Sequence, residues 1–372
     1  MTNLRYKLSL LRGLLGRETA YVGPAWVSLD VTRRCNYVCL GCFFHCVQER
    51  PASPGDHEIT DLPVPLVQKL AADLARMGTP EVILSGEGEP LLHPRFFDIV
   101  GCFRQSGITV RAFTNGSLID EPMATRIVGS GLHVLNVTFW AVNREEHLKW
   151  HPGINPDYLN RRIERVKLLA RIRKESSGKP PIVNLQIPLN RLNFTNIGER
   201  VDLVLASGCD SVTFAFFHDW GGQFESYGLL PEDGEPLRRE LLRAKRSFEA
   251  AGVKHNVDQY LARVDLGPGA WRTVPCYAGW FESYIKVDGS VLPCCPCSMV
   301  MGSLREKSFP EIWNAPEYKD FRRRSVSPQA LGALQASCNC ANCSVLMDSA
   351  RVHRVFRWFN PIARRNAEGA QL

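Results

Sequence analysis

Nowhere in this chain of 372 residues does an apolar run approach the roughly 18 residues that a membrane-spanning helix needs, which argues against an integral helical membrane protein. The start also lacks the unbroken apolar core and cleavage site of a signal peptide, because Lys7, Arg12 and Gly13 interrupt its leucines. A cytoplasmic location is therefore expected. Internal repeats and low-complexity segments are missing from the sequence. With 45% hydrophobic and 22% charged residues, the composition excludes wholesale disorder, collagen and coiled coil. No large excess of one charge exists either: 45 Lys and Arg face 38 Asp and Glu, and the net +7 does not call for nucleic acid. It suits an anionic ligand or plain solubility.

Cysteine is abundant instead. There are 13, an odd number, with four between Cys35 and Cys46 and seven between Cys276 and Cys343. A secreted disulfide scaffold is short and pairs its cysteines, whereas clustered cysteines in a reducing compartment point to metal. Cys102 and Cys209 stand apart and read as structural.

The length suggests about two domains. Segments 26–31, 81–85, 108–113, 133–139, 182–187 and 211–217 read as strands. Helical spacing recurs between them, as in Leu66, Leu70, Leu74 and Met77. Alternating strands and helices predict an α/β fold, a parallel sheet with helices outside, open or closed into a barrel. The rhythm breaks at Gly267-Pro268-Gly269. A hairpin signal follows over 284–292, with Asp288-Gly289 at the turn, and then a helix near 310–324. The expected divisions are a basic N-terminal extension (1–23), a barrel (24–262), a cysteine-rich domain (263–346) and a basic aromatic tail (347–372).

Cys35, Cys39 and Cys42 follow the first strand at spacings of four and three. Three such thiolates can close on one face of an iron–sulfur cubane and leave the fourth iron without a protein ligand. A closed zinc site is the alternative, with His45 or Cys46 as fourth ligand. Two more motifs follow, each at the C-terminal end of a strand: Ser85-Gly-Glu-Gly-Glu-Pro90, and Thr114-Asn115-Gly116. The three in order resemble the radical SAM (S-adenosylmethionine) superfamily, over roughly residues 24–260.

The resemblance implies a partial (β/α)6 TIM-like barrel. It implies that Cys35, Cys39 and Cys42 hold a [4Fe-4S] cluster whose open iron binds SAM, and that one-electron reduction yields a 5′-deoxyadenosyl radical. Gly86, Glu87, Gly88, Glu89 and Pro90 are expected against the methionine end of SAM. There Gly88 permits close backbone approach, and Glu89 or a nearby carbonyl meets the ammonium group. Asn115, Thr138, Gln186 and Asn190 are the further expected cofactor contacts. Gly41 departs from the family, many of whose members carry an aromatic residue before the last cysteine.

In the C-terminal part, Cys276, Gly289 and Cys294 fit a Cys-x(9–15)-Gly-x4-Cys pattern, and Cys340-x2-Cys343 follows. This resembles the SPASM auxiliary-cluster domain or its shortened twitch form, and no cysteine follows Cys343. The implied content is one auxiliary [4Fe-4S] cluster on Cys276, Cys294, Cys340 and Cys343. Cys295, Cys297 and Cys338 are then substitute ligands, hydrogen-atom donors or buried apolar residues.

The expected activity is oxidation of a carbinol to a ketone on a small polyol, sugar or aminocyclitol, with the auxiliary cluster accepting an electron. His218 or Asp219, after the sixth strand, is the expected base. Alternatives are an epimerase with Cys297 or Cys295 returning hydrogen, and a peptide maturase. Peptide maturases usually carry a longer N-terminal recognition segment than the 34 residues before Cys35, which disfavours a peptide substrate unless a separate recognition protein supplies that function. A non-enzymatic zinc-binding protein is the last alternative. The expected partners are a carbohydrate-like or anionic small molecule, a flavodoxin or ferredoxin as electron donor, and a membrane surface touched by the basic termini, with no nucleic acid.

Overall fold

The computed structural model describes residues 4–42, 44–45, 60–176, 180–218, 225–267, 269–326, 334, 337–340 and 343–356. The chain opens with helix α1 (Leu4–Gly16) and then alternates: β1 (Trp26–Asp30), α2 (Val64–Arg76), β2 (Glu81–Ser85), α3 (Phe96–Gln105), β3 (Thr109–Thr114), α4 (Glu121–Gly129) and β4 (Val134–Thr138). A short helix, α5 (Arg144–Trp150), precedes the long α6 (Asp157–Glu175). After these come β5 (Ile182–Leu189), α7 (Ile197–Ser207), β6 (Ser211–Phe216), α8 (Gly234–Ala250), β7 (Lys254–His255) and α9 (Val257–Asp265). The C-terminal part contributes α10 (Ala278–Phe281), β8 (Glu282–Ile285), β9 (Ser290–Leu292), β10 (Gly302–Ser303), α11 (Phe309–Trp313), α12 (Pro316–Ser325) and α13 (Leu346–Phe356).

Among the described residues all strands join one sheet, in the order β10-β9-β8-β1-β2-β3-β4-β5-β6-β7. Strands β1 to β6 stand in sequence order and pair in parallel, which is the partial barrel expected from strand–helix alternation. Alternation along each strand sets the two faces. Val27, Leu29, Val82, Leu84, Val110 and Ala112 are fully buried towards the helices, against Val67, Leu70, Leu74, Ile99 and Phe103. Burying each of these valines, leucines, isoleucines or phenylalanines stabilises the fold by roughly 1.5–3 kcal/mol before entropy is counted. The other face, lining the barrel, carries polar residues such as Asp30, Asn136, Thr138, Asn184 and Gln186.

The domain boundary expected between residues 262 and 263 does not interrupt the sheet. Strand β8 pairs in parallel with β1, Trp26 opposite Glu282 and Ser28 opposite Tyr284. The β8–β9 hairpin turns at Asp288-Gly289 as expected; Gly289 has φ 91°, where a side chain would be strained.

Residues 17–23 are fastened to the C-terminal helices. Asn314 exchanges two hydrogen bonds with the backbone of Ala20, and the Trp313 indole donates to the Val22 carbonyl at 2.9 Å. Arg322, fully buried, donates to the carbonyls of Gly279 and Glu18. It also lies over the rings of Trp280, Trp313 and Tyr318.

Candidate active site

The loop after β1 carries Cys35, Cys39 and Cys42, none in a disulfide. The three sulfurs interact electrostatically, and burial pushes the Cys35 thiol up to about 11 and the Cys39 thiol higher still. Three neighbouring thiolates in such a place need a positive charge to offset the burial, which the irons of a cluster supply. Among the described residues no three His, Cys, Asp or Glu side chains gather tightly enough for a single metal ion. Cys46 lies outside the described residues.

The loop is held from two sides. A Cβ on Gly88 would lie 2.2 Å from the Arg34 carbonyl oxygen, and Glu89 N–H donates to that same oxygen at 2.8 Å. Gly88 therefore allows close approach to the cysteine loop itself. Glu89, 2% exposed, accepts from Thr114 Oγ1 at 2.7 Å, Asn115 N at 2.6 Å and Leu91 N at 3.2 Å. Its carboxylate is thus a brace between loops, with most of its accepting capacity used. The Asn115 amide donates to Asn36, between Cys35 and Cys39. Glu87 is not a solvated loop carboxylate: it is buried and ion-paired with Arg33 and with Lys286 beyond β8. Pro90 begins a 3-10 turn whose N-cap is Glu89.

Gly41 has its own explanation. A Cβ there would meet the Trp140 ring at 2.9 Å and the Trp150 ring at 3.2 Å. Trp140, just beyond β4, packs directly against this glycine.

A cavity of about 470 Å³ opens at the C-terminal ends of β4 to β6. Thr138, Trp140, Gln186 and His218 line it, and Cys343 reaches it from the C-terminal part. Register places Thr138 beside Gln186. Asn190 does not line it: it is fully buried, and its amide oxygen accepts from Leu192 N in a turn. His218 also borders a second cavity of about 370 Å³, with Leu229 and Leu237. Asp219 and the following residues to 224 lie outside the described residues.

The hairpin brings the second set of cysteines together. Cys276 interacts electrostatically with Cys343 and Cys340, and Cys294 with Cys276 and Cys343. Cys297, the expected thiol donor, is paired with Cys338 in a disulfide, and while so bonded it has no S–H to give. Cys295 is hydrogen-bonded to Tyr284.

Two family descriptions match the chain. One, "Radical SAM superfamily", covers residues 29–179, and the other, the "SPASM" iron–sulfur cluster-binding domain, covers residues 276–344. The chain belongs to the radical SAM superfamily and carries a C-terminal SPASM domain. Among relatives, an AdoMet-dependent heme synthase of Methanosarcina barkeri is 24% identical over 86% of this chain and 91% of its own. A PqqA peptide cyclase of Gluconobacter oxydans is 26% identical over 82% of this chain and 81% of its own. The fold is similar to that of Streptococcus suis SuiB bound to S-adenosylmethionine, with a TM-score of 0.64, 16% identity, and coverage of 89% and 74%.

This radical SAM enzyme contains site residues that the motifs do not announce. Arg162 on α6 is 1% exposed, donates to the Thr138 carbonyl, and faces Cys39 and Glu89 electrostatically. Its Nε and Nη1 have no hydrogen-bond partner among the described residues. A buried guanidinium with two idle nitrogens beside the cysteine loop fits the carboxylate of SAM. The signal was an arginine on the core-facing side of a helix, in line with Leu159 and Val166. Asp30 accepts from Tyr284, and burial raises its carboxyl to about 8. Glu282, beside Cys276 and Cys294, is raised by burial to about 8 as well. Together the cysteine donors, the Gly88 contact and Arg162 fit a four-iron cluster with SAM.

Proposed function

We propose that this radical SAM enzyme modifies a peptide in an oxidative reaction served by one auxiliary cluster. The observation that carries this reading is the cavity shared by Thr138, Gln186 and Cys343, in which one space touches both cysteine-bearing parts of the chain. The peptide class rests on the relatives, where a PqqA peptide cyclase matches over four-fifths of both chains. Nothing in the relatives supports a polyol, so the peptide alternative replaces that expectation.

In this reading Cys35, Cys39 and Cys42 hold the first cluster, and Cys276, Cys294, Cys340 and Cys343 the auxiliary one. When bound, the first cluster with SAM supplies a one-electron cleavage that creates a hydrogen-abstracting radical, and the auxiliary cluster supplies an electron sink. Glu89 and Asn115 fix the cysteine loop, and Arg162 orients the SAM carboxylate. Thr138 and Gln186 border the space where the adenosyl end meets substrate. Trp140 and Trp150 exclude water behind Gly41. His218, at the cavity wall, is placed to take the proton that leaves as the substrate is oxidised.

The test uses the reconstituted enzyme with dithionite, SAM and an extract of its native cells. The expected result is 5′-deoxyadenosine formation that the extract stimulates and that prior protease treatment of the extract abolishes. Stimulation that survives protease would overturn the peptide class and favour a small molecule, such as a substrate of the heme synthase kind. About eight irons per chain, against about four, separates two clusters from one.

A further inference from the structure

We propose that α1 is a membrane-surface helix that seats the protein on an anionic lipid bilayer. One side of the helix is fastened to the body: Tyr6 donates to the Gly23 carbonyl at 2.9 Å, a Cβ on Gly13 would touch the Trp280 ring at 3.0 Å, and Leu14 is buried. The opposite side stays open apart from Leu11, which packs partly against the core. Leu4 is 70% exposed, Leu8 57% and Leu15 52%. At roughly 100° per residue these three leucines fall within an arc of about 40°. They form one stripe along the helix.

The margins of the stripe carry only positive charge. Lys7 lies on one flank, Arg5 and Arg12 on the other, and the helix contains no acidic residue. The Arg12 guanidinium stacks over Tyr21, itself half exposed. Leucines between long cationic side chains, with a tyrosine at the edge, are the arrangement of a helix lying in the headgroup plane. The stems of Lys and Arg cover apolar surface while their heads reach phosphates. A protein groove would also accept the leucines, but cations on both flanks favour a surface that is negative on every side, as an anionic membrane is.

A second element adds to the same charge. Tyr277 hydrogen-bonds His353 of α13 and faces Arg17 just beyond α1. Helix α13 exposes Arg351, Arg354 and Val355. Past it the sequence reads Arg357-Trp358-Phe359, then Arg364-Arg365. The inference does not depend on the substrate, since α1 lies outside the cavity and the cysteine loops.

Flotation with phosphatidylcholine vesicles, with and without phosphatidylglycerol, tests it on the full chain. The expected result is flotation only with phosphatidylglycerol, weakened by salt. A triple variant, Leu4→Ser, Leu8→Ser and Leu15→Ser, should bind about tenfold less. The changed side chains face solvent, so iron content and 5′-deoxyadenosine formation should stay as in the parent. Lys7→Glu, which keeps every leucine, should weaken binding and its salt response. Absence of flotation by the parent, or equal flotation by the triple variant, overturns the proposal. So does a parent that sediments as a dimer and a triple variant that sediments as a monomer, because the stripe would then belong to a second copy of the chain.

Discussion

A single methyl group added to Gly88 would lie 2.2 Å from the Arg34 carbonyl oxygen, in the backbone that leads into Cys35. Backbone cannot give way there as a flexible side chain could. Gly88→Ala should therefore shift the cysteine loop and lower iron in the first site, read as a loss of about four irons per chain. Gly101→Ala on α3, where a Cβ meets nothing within 4 Å, is the control and should keep its iron. Asp30 permits a different test. Its carboxyl stands at about 8 in the fold against an ordinary 3.8, chiefly because burial penalises the charge. The folded state thus holds a proton that the unfolded chain has lost. Stability from this group is present at low pH and falls as pH rises from about 4 through about 8. Asp30→Asn removes that fall. Denaturant unfolding should show the variant gaining on the parent by about 2 kcal/mol between pH 6 and pH 8. Arg162→Gln removes a buried cation without a carboxylate partner. SAM binding to the reconstituted enzyme should weaken by about tenfold or more in equilibrium dialysis. The three cysteines were legible in the sequence because their spacing is local. Arg162, Asp30 and the ion pair of Glu87 were not, because the groups that give them meaning lie far along the chain: Arg162 opposite Cys39, Asp30 against Tyr284, Glu87 against Lys286.

Between elements, Arg322 is the clearest fastening. Burial lowers its guanidinium to about 9, and its hydrogen bonds go to carbonyls of Gly279 and Glu18 and to Asn314. No carboxylate appears among these partners. Arg322→Leu fills the space between Trp280, Trp313 and Tyr318 but leaves those carbonyls without their donor. The expected result is faster proteolytic cleavage around residues 17–23, with a loss of roughly 1–3 kcal/mol in stability. Strands and main helices were legible from periodicity, and the β8–β9 hairpin from Asp288-Gly289. The short α5 was not, because seven residues give too little period to read; its N-cap is Asn143, which accepts from Glu146 N at 2.9 Å. Its function is local and indirect: Trp150 from α5 takes the Leu40 N–H on its carbonyl and packs against Trp140.

At the scale of the whole molecule, the two families of motif lie on one sheet. Composition and rhythm placed a break after residue 262, since Gly267-Pro268-Gly269 looks like a linker, but sequence rhythm carries no sign that β8 returns to β1. A chain ended at residue 262 would bare the β1 edge and leave Asp30 without Tyr284. Such a truncation should be poorly soluble and low in iron even at Cys35, Cys39 and Cys42. A soluble fragment with a full first cluster would show that the barrel stands alone.

The β1–β8 pairing also sets an order of events during synthesis. Strand β1 emerges first among the strands, and β2 can cover one of its edges soon afterwards. The other edge waits for β8, which leaves the ribosome long after. At about 5–20 residues per second the wait lasts on the order of 10–50 seconds. An unpaired edge is open during that time to other nascent chains. For the same interval Glu87 waits for its ion pair with Lys286, beyond β8. The partner that closes this edge is thus among the last parts of the sheet to be made.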